Sequence, residues 1–173
     1  MKYLDWISLD ELGFPDYAIN ELGEVRNERT GRVLRQSHNQ AGICKIGLIR
    51  PYFKLQRTVA VAPLVAHTFL PDPRNEFFDS LINLDGNRSN NRVDNLMWRP
   101  RWFAIKYHQQ FFNDLRGFTV PIIELETGET FVNSWEAAIK YGLIDRDIFI
   151  ASINRTNVFP TGQRFRADPH NRY

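Results

Sequence analysis

Cysteine is almost absent from this chain. Cys44 stands alone in 173 residues, which excludes an internal disulfide framework and any Cys-x-x-Cys metal site. Cys44 reads as a small packed strand residue, and the chain suits a reducing cytoplasm. No apolar run approaches the roughly 18 residues that cross a bilayer, so no membrane partner is expected. The opening MKYLDWISLDEL is acidic. It lacks the basic stretch and apolar core of a secretory signal, and a cytoplasmic protein is expected. There is no internal repeat and no low-complexity tract. Histidine is scarce, with only four residues: His38, His67, His108 and His170. What is present, 43% hydrophobic and 24% charged residues, describes a globular chain of one domain or two small ones.

The net charge of +2 says little, but its distribution says more. The first 24 residues carry Asp5, Asp10, Glu11, Asp16, Glu21 and Glu24 against Lys2. Bases then dominate: Arg26, Arg29, Arg32, Arg35, Lys45, Arg50, Lys54 and Arg57 face Glu28 alone. Arg88, Arg92, Arg99, Arg101 and Lys106 follow, and Arg146, Arg155, Arg164, Arg166 and Arg172 close the chain. Bases spread along a chain, several beside aromatics, suit a surface that tracks a phosphate backbone. A solvated surface of mixed charge would read the same way.

Turn residues and periodicity divide the chain. YAINELGEVRNERTGRVLR holds two runs broken by Leu-Gly and Thr-Gly, a hairpin signal. ICKIGLIR and FKLQRTVAV continue as strands of a small antiparallel sheet. Pro63 suits a first helical turn, and APLVAHTFL predicts a short apolar helix. LINL and NLMW are brief strands around Asp85-Gly86. WFAIKYHQQFFNDL places Trp102, Phe103, Tyr107 and Phe111 at helical spacing and predicts a packed helix. After Arg116-Gly117-Phe118 the pattern restarts: strand, Thr-Gly turn, strand, a helix capped by Ser134 and stopped by Gly142, and a second helix capped by Asp145. On that second helix Ile148, Phe149 and Ile153 are the expected core, with Arg146, Asp147, Ile150, Ala151 and Asn154 outward. FRA reads as a closing strand. The expected class is α+β: a small antiparallel sheet and a ββα core over residues 1–113, a linker at 114–118, and a helix-turn-helix module over 119–173.

These segments resemble, in order and over nearly the whole chain, the intron-encoded HNH homing endonucleases of bacteriophages. Trp6, YAINELGEVRN, GRVLRQ and KIGL match the opening sheet module. VAPLVAHTFLPDP and LINLDGNRSNNRVDNLMW match the helix and the HNH core. VPIIELETGETFVNSWEAAIKYGL with the closing FRA matches the C-terminal DNA-binding repeat. The resemblance implies one divalent metal in a hairpin-plus-helix fold. An Asp would bind the metal, the next residue, a His, would deprotonate water, a helix residue would complete the ligands, and an Asn would orient the His.

In this sequence those positions are changed. Asp85-Gly86-Asn87 and Trp98 fix the register on both sides. The His then falls on Asn83, the Asp on Ile82 and the helix ligand on Ala104, while Asn95 keeps the orienting amide. A one-residue deletion would shift Asn83 to the position before the His, and the His is absent there too. The family's His-Arg is Ala62-Pro63 here. Ile and Ala offer a hard cation no oxygen, and an amide is no base; losing a general base costs on the order of 10² to 10⁴ in rate. No cofactor is therefore expected, although the family would use one Mg2+. The expected reading is a catalytically inactive relative that binds double-stranded DNA through Arg26, Arg29, Arg88, Arg99, Arg101, Arg146, Asn154, Arg155 and Arg164. Two alternatives stand beside it. One is a protein-interaction or structural component, in a phage particle or on a polymerase. The other is a nuclease with a displaced site using Asp85, His67 or His108. Asp85, Asn87, Asn90 and Asn91 also have a simpler role, satisfying backbone groups in a tight turn.

Overall fold

The computed structural model describes residues 5–51, 55–73, 75–112 and 116–168. His170, Lys54, Arg172 and the first two residues of the expected 114–118 linker lie outside them. Packing divides the chain into two units, Met1–Trp98 and Arg99–Tyr173. The division falls ahead of the expected linker.

The first unit is built from short antiparallel strands. Strands β1 (Ile7–Leu9), β2 (Phe14–Ile19) and β3 (Val25–Asn27) form one sheet in that order. Tyr17 pairs with Asn27 and Ile19 with Val25 across the hairpin. The connecting turn is held by Asn20, whose Oδ1 accepts from the backbone of Leu22 and Glu24 while Nδ2 donates to Glu24 Oε2. Gly23 completes this turn at φ +81°, a torsion that favours glycine, and a Cβ there would sit a tight 3.1 Å from the Asn91 carbonyl.

Strands β4 (Ser37–His38), β5 (Cys44–Arg50) and β6 (Leu55–Ala60) form a second three-stranded sheet, so the runs read as one sheet are two. Burial in β5 alternates, with Cys44, Ile46 and Leu48 inside. Helix α1 (Val61–Phe69) follows directly and buries Val61, Leu64 and Val65, the spacing of one helical face. These residues join Leu9, Phe14, Tyr17, Ile19, Val25 and Leu96 in one core. Strands β7 (Ser80–Asn83) and β8 (Leu96–Arg99) pair as a separate hairpin.

The second unit opens with helix α2 (Arg101–Gln109). Strands β9 (Ile122–Glu124), β10 (Thr130–Phe131) and β11 (Phe165–Ala167) form an antiparallel sheet in the order β10-β9-β11. Helices α3 (Ser134–Tyr141) and α4 (Asp145–Asn154) are joined by three residues. Gly142, at φ +60°, ends α3 in the left-handed conformation, as the sequence led one to expect. Ile122, Phe131, Ala137, Ala138, Leu143, Ile148, Ala151, Val158 and Phe165 make the core.

Several local expectations are corrected. The residue capping α3 is Asn133, whose side chain accepts from Glu136 N, and not Ser134. Asp145 is the first residue of α4 and not its cap, which is Ile144. The Ser134 and Asp145 side chains meet each other instead: the hydroxyl donates to the buried carboxylate, which also accepts from Gly117 N at 2.7 Å. A direct side-chain bond drew both away from their own helix ends. Within α4 the core residues are Ile148 and Ala151; Ile153 is 62% exposed. Trp102 lies half outside, while Phe103 and Tyr107 carry the inward face of α2. No described helix is long and apolar enough to cross a membrane.

Candidate functional site

The sequence reading directed attention to the β7–β8 hairpin, whose polar residues are tied to one another. Asp85 Oδ1 accepts from Asn87 N at 2.8 Å and from Asn95 Nδ2 at 2.9 Å, and Oδ2 accepts from Asn90 Nδ2 at 2.7 Å. Asn95 is spent in the same network. Its Oδ1 accepts from Asp85 N at 3.0 Å, its Nδ2 also donates to Asn90 O, and its backbone oxygen accepts from Leu84 N. Asn83 Nδ2 donates to Asn90 O at 2.9 Å. Asn87 Oδ1 accepts from Ser89 N, and Ser89 Oγ donates to Gly42 O, which stitches the loop to the second sheet. The turn role anticipated for Asp85, Asn87 and Asn90 is what these bonds perform. Asn91 departs from it: the residue is buried and neither of its amide atoms has a hydrogen-bond partner among the described residues.

Ile82, on β7, is fully buried, and Asn83 beside it is nearly so. Ala104 is buried on α2 in the second unit. His67 is exposed on α1 with its ring 5.2 Å from that of Trp98. His108 is buried on α2, where Nδ1 donates to Ala104 O at 2.9 Å. Among the described residues no three His, Cys, Asp or Glu side chains gather closely enough to hold a metal ion.

The basic residues fall into three conditions. Arg26 pairs with Glu28 at 2.8 Å and lies over the Trp6 ring, and Arg29 pairs with Asp16 at 2.8 Å. Arg88 is half-buried. Arg99, expected at the surface, is buried; its Nε donates to Gly142 O and an Nη to Tyr141 O, capping the end of α3. That removes it from the set of outward bases. Arg101, Arg146, Asn154, Arg155 and Arg164 are exposed. Arg146 and Asn154 stand on α4, with Ile150 44% exposed between them.

Two features of the second unit escaped the sequence reading. Glu124 is completely buried; burial pushes its carboxyl up, but bonds from Thr127 N, Thr127 Oγ1 and Glu126 N outweigh this and hold it below its ordinary value. The Glu-x-x-Thr spacing ahead of a Gly was the signal available. The other is a cleft of about 350 Å³ lined by Lys106, Gln109, Arg116, Trp135, Arg146 and Asp147 among others. The Arg116 guanidinium sits 3.7 Å from the Trp135 ring centroid. Burial raises the Asp147 carboxyl, with Lys106 and Arg146 opposing the rise. No short motif marks this cleft because its residues come from four separate segments.

Small antiparallel sheets, a polar hairpin and a two-helix module together define a known α+β class. Over 95% of its length the chain superimposes on 98% of the HNH homing endonuclease I-HmuI, solved in a study of DNA binding and cleavage, with a TM-score of 0.53 at 20% identity. No protein-family model matches the chain. Sequence comparison finds two uncharacterized HNH endonucleases of Acanthamoeba polyphaga mimivirus. L245 is 28% identical over 131 residues, which is 75% of this chain and 38% of that protein. L247 is 35% identical over 85 residues, 49% of this chain and 21% of that protein. The chain thus spans well under half the length of either relative. The chain is thus similar in sequence to HNH endonucleases and shares the fold of an HNH homing endonuclease.

Proposed function

We propose that this chain is a DNA-binding protein on an HNH homing-endonuclease scaffold that no longer performs metal-dependent cleavage. The observation that carries the reading is the engagement of both Asp85 carboxylate oxygens and of the Asn95 amide by the hairpin itself. A hard cation needs several oxygens with lone pairs directed at it. The residues at the family's metal positions do not fit one: Ile82 and Ala104 carry no oxygen, and the Asn83 amide donates to Asn90 O. Asn95, which would orient a histidine, braces the turn.

DNA binding requires none of these groups. Arg146 and Asn154 on α4, the second helix of a helix-turn-helix reading, can meet base edges or phosphate, and Arg101, Arg155 and Arg164 are free to meet phosphate. Arg26 and Arg29 carry internal acid partners, so their contribution is smaller. The linker at 114–118 and the modules at 1–113 and 119–173 form part of the same reading. A second reading, contact with a protein in a viral assembly, is favoured by the exposure of Ile150 and Ile153, an unusually apolar surface for a helix that reads DNA.

The test has two arms. Duplex affinity is measured against salt; a steep fall of log affinity with log salt is expected. A weak, flat response would sink the DNA reading. The same duplex is then incubated with magnesium or manganese, and no nicking above background is expected. Nicking that disappears in Asp85→Ala would overturn the loss of cleavage. Ile82→Asp, Asn83→His and Ala104→Asn together should restore nicking to a protein that still binds.

A further inference from the structure

Helix α2 and the segment after α4 bring two aromatic rings together in the second unit. Trp102 and Phe159 stack with centroids 5.2 Å apart and an interplanar angle of 28°. Each covers one face of the other, yet Trp102 is 51% and Phe159 49% exposed. Half-exposure of rings already paired means that outer ring surface stands in solvent. The pair is anchored from the core side: the buried Phe103 ring meets Trp102 edge-on at 5.8 Å and Phe159 at 6.0 Å. The apolar core running from Ile122 to Phe165 does not include the two rings.

A cation sits against the stack. Lys106, one helical turn beyond Trp102, holds its ammonium 5.3 Å from the indole centroid. Arg101 precedes Trp102 and is exposed. Asp147 lies in the field of both Lys106 and Arg146. A rigid aromatic surface beside exposed positive charge has the composition that captures an unpaired base and its phosphate. An apolar protein partner would use the rings without needing the cations. A base inside a duplex has no free face to offer them.

We infer that the Trp102–Phe159 stack is a binding surface for an unpaired nucleobase, through which the chain takes single-stranded DNA. This deepens the DNA-binding reading above and rests on it for the choice of nucleic acid. Lys106 and Arg101 neutralise the flanking phosphates, and the stack supplies affinity that salt does not screen.

The experiment uses the full chain with two probes: an oligothymidine of about 12 nucleotides, enough to cover one site, and a blunt-ended duplex. Wild type should bind the oligothymidine with quenching of indole fluorescence. Trp102→Ala should weaken that binding about tenfold, as loss of one stacked base does, and change duplex affinity by less than about twofold. Trp102→Phe should retain most of the single-strand affinity, and Phe159→Ala should lose an intermediate part. If Trp102→Ala fails to fold by circular dichroism, these two variants decide. Equal oligothymidine affinity in wild type, Trp102→Ala and Phe159→Ala overturns the inference, as does absence of binding in wild type. With duplex affinity intact in that case, the proposed function stands and only the stack is lost from it; failure of both probes sinks both. Self-association that Trp102→Ala abolishes, without effect on oligothymidine, would reassign the surface to a second protein chain and likewise overturn it.

Discussion

The hairpin Ser80–Arg99 and helix α4 dispose of their side chains in opposite senses. In the hairpin, amides and a carboxylate turn back on the loop that carries them, and Asn83 and Asn95 are buried with their hydrogen bonds made at home. In α4, Ile150 and Ile153 stand partly in solvent beside Arg146 and Asn154. A residue's type is therefore a poor guide to whether it serves a ligand. The hairpin is rich in oxygens that are already used, and α4 has few polar atoms but an unspent surface. Saturated polar groups specify a turn; unsaturated surface keeps the capacity to bind.

The sharpest test of the contrast is Asn95→Ala. It strips an acceptor from Asp85 N and donors from Asp85 Oδ1 and Asn90 O in a buried position. Unfolding of the first unit in urea should register a loss of about 3 kcal/mol. A loss below about 1 kcal/mol would mean that the network is dispensable, and the hairpin would no longer differ in kind from α4.

Next in size is the acid limb of the second unit. Glu124 has its carboxyl lowered from 4.5, so its stabilising contribution is complete above that value and fades as pH falls through the lower folded value. Glu124→Gln should flatten the stability–pH curve below pH 4.5; an unchanged slope would remove Glu124 as the buried polar anchor of this unit.

Asp147 carries the opposite sign, since burial raises its carboxyl from 3.8. Its contribution is present at low pH and lost as pH rises through the folded value. Asp147→Asn should therefore melt higher than wild type near neutrality, and the gain should vanish below pH 3.8; a variant that melts lower at pH 7 would show that Lys106 and Arg146 dominate instead. The smallest effect is expected where surface is unspent. Ile150→Ser and Ile153→Ser should each alter stability by no more than about 0.5 kcal/mol. A loss above about 2 kcal/mol would reveal that another part of the protein covers this face.

Much of the fold was legible because local rules govern it. Alternation placed Cys44, Ile46 and Leu48 inward on β5, the spacing of Val61, Leu64 and Val65 defined α1, and Gly142 ended α3. Positions 82, 83 and 104 carry Ile, Asn and Ala, and their comparison with a metal site rests on register alone, between Asp85-Gly86-Asn87 and Trp98. Arg99 was not legible as a buried cap, because its partners, the carbonyls of Tyr141 and Gly142, lie more than forty positions away. Ser134 and Asp145 each satisfy the ordinary rule for a helix cap, and only their mutual approach, with Gly117 N, diverted them. Ile153 was misassigned because one helical turn near the end of α4 left the core sooner than periodicity alone implies.

The sequence by itself determined which atoms this protein can offer. Ile82 and Ala104 carry no side-chain oxygen and Asn83 carries an amide, and an α+β order of strands and helices is set by turn residues and periodicity. Tertiary structure decided which of the offered atoms remain available. Whether Asp85 is a ligand or a brace, whether Arg99 meets solvent or a helix end, and whether Trp102 is core or surface depend on partners far away in the chain. Hydrogen bonding and burial are properties of neighbours in space, and the chain's own order does not encode them directly.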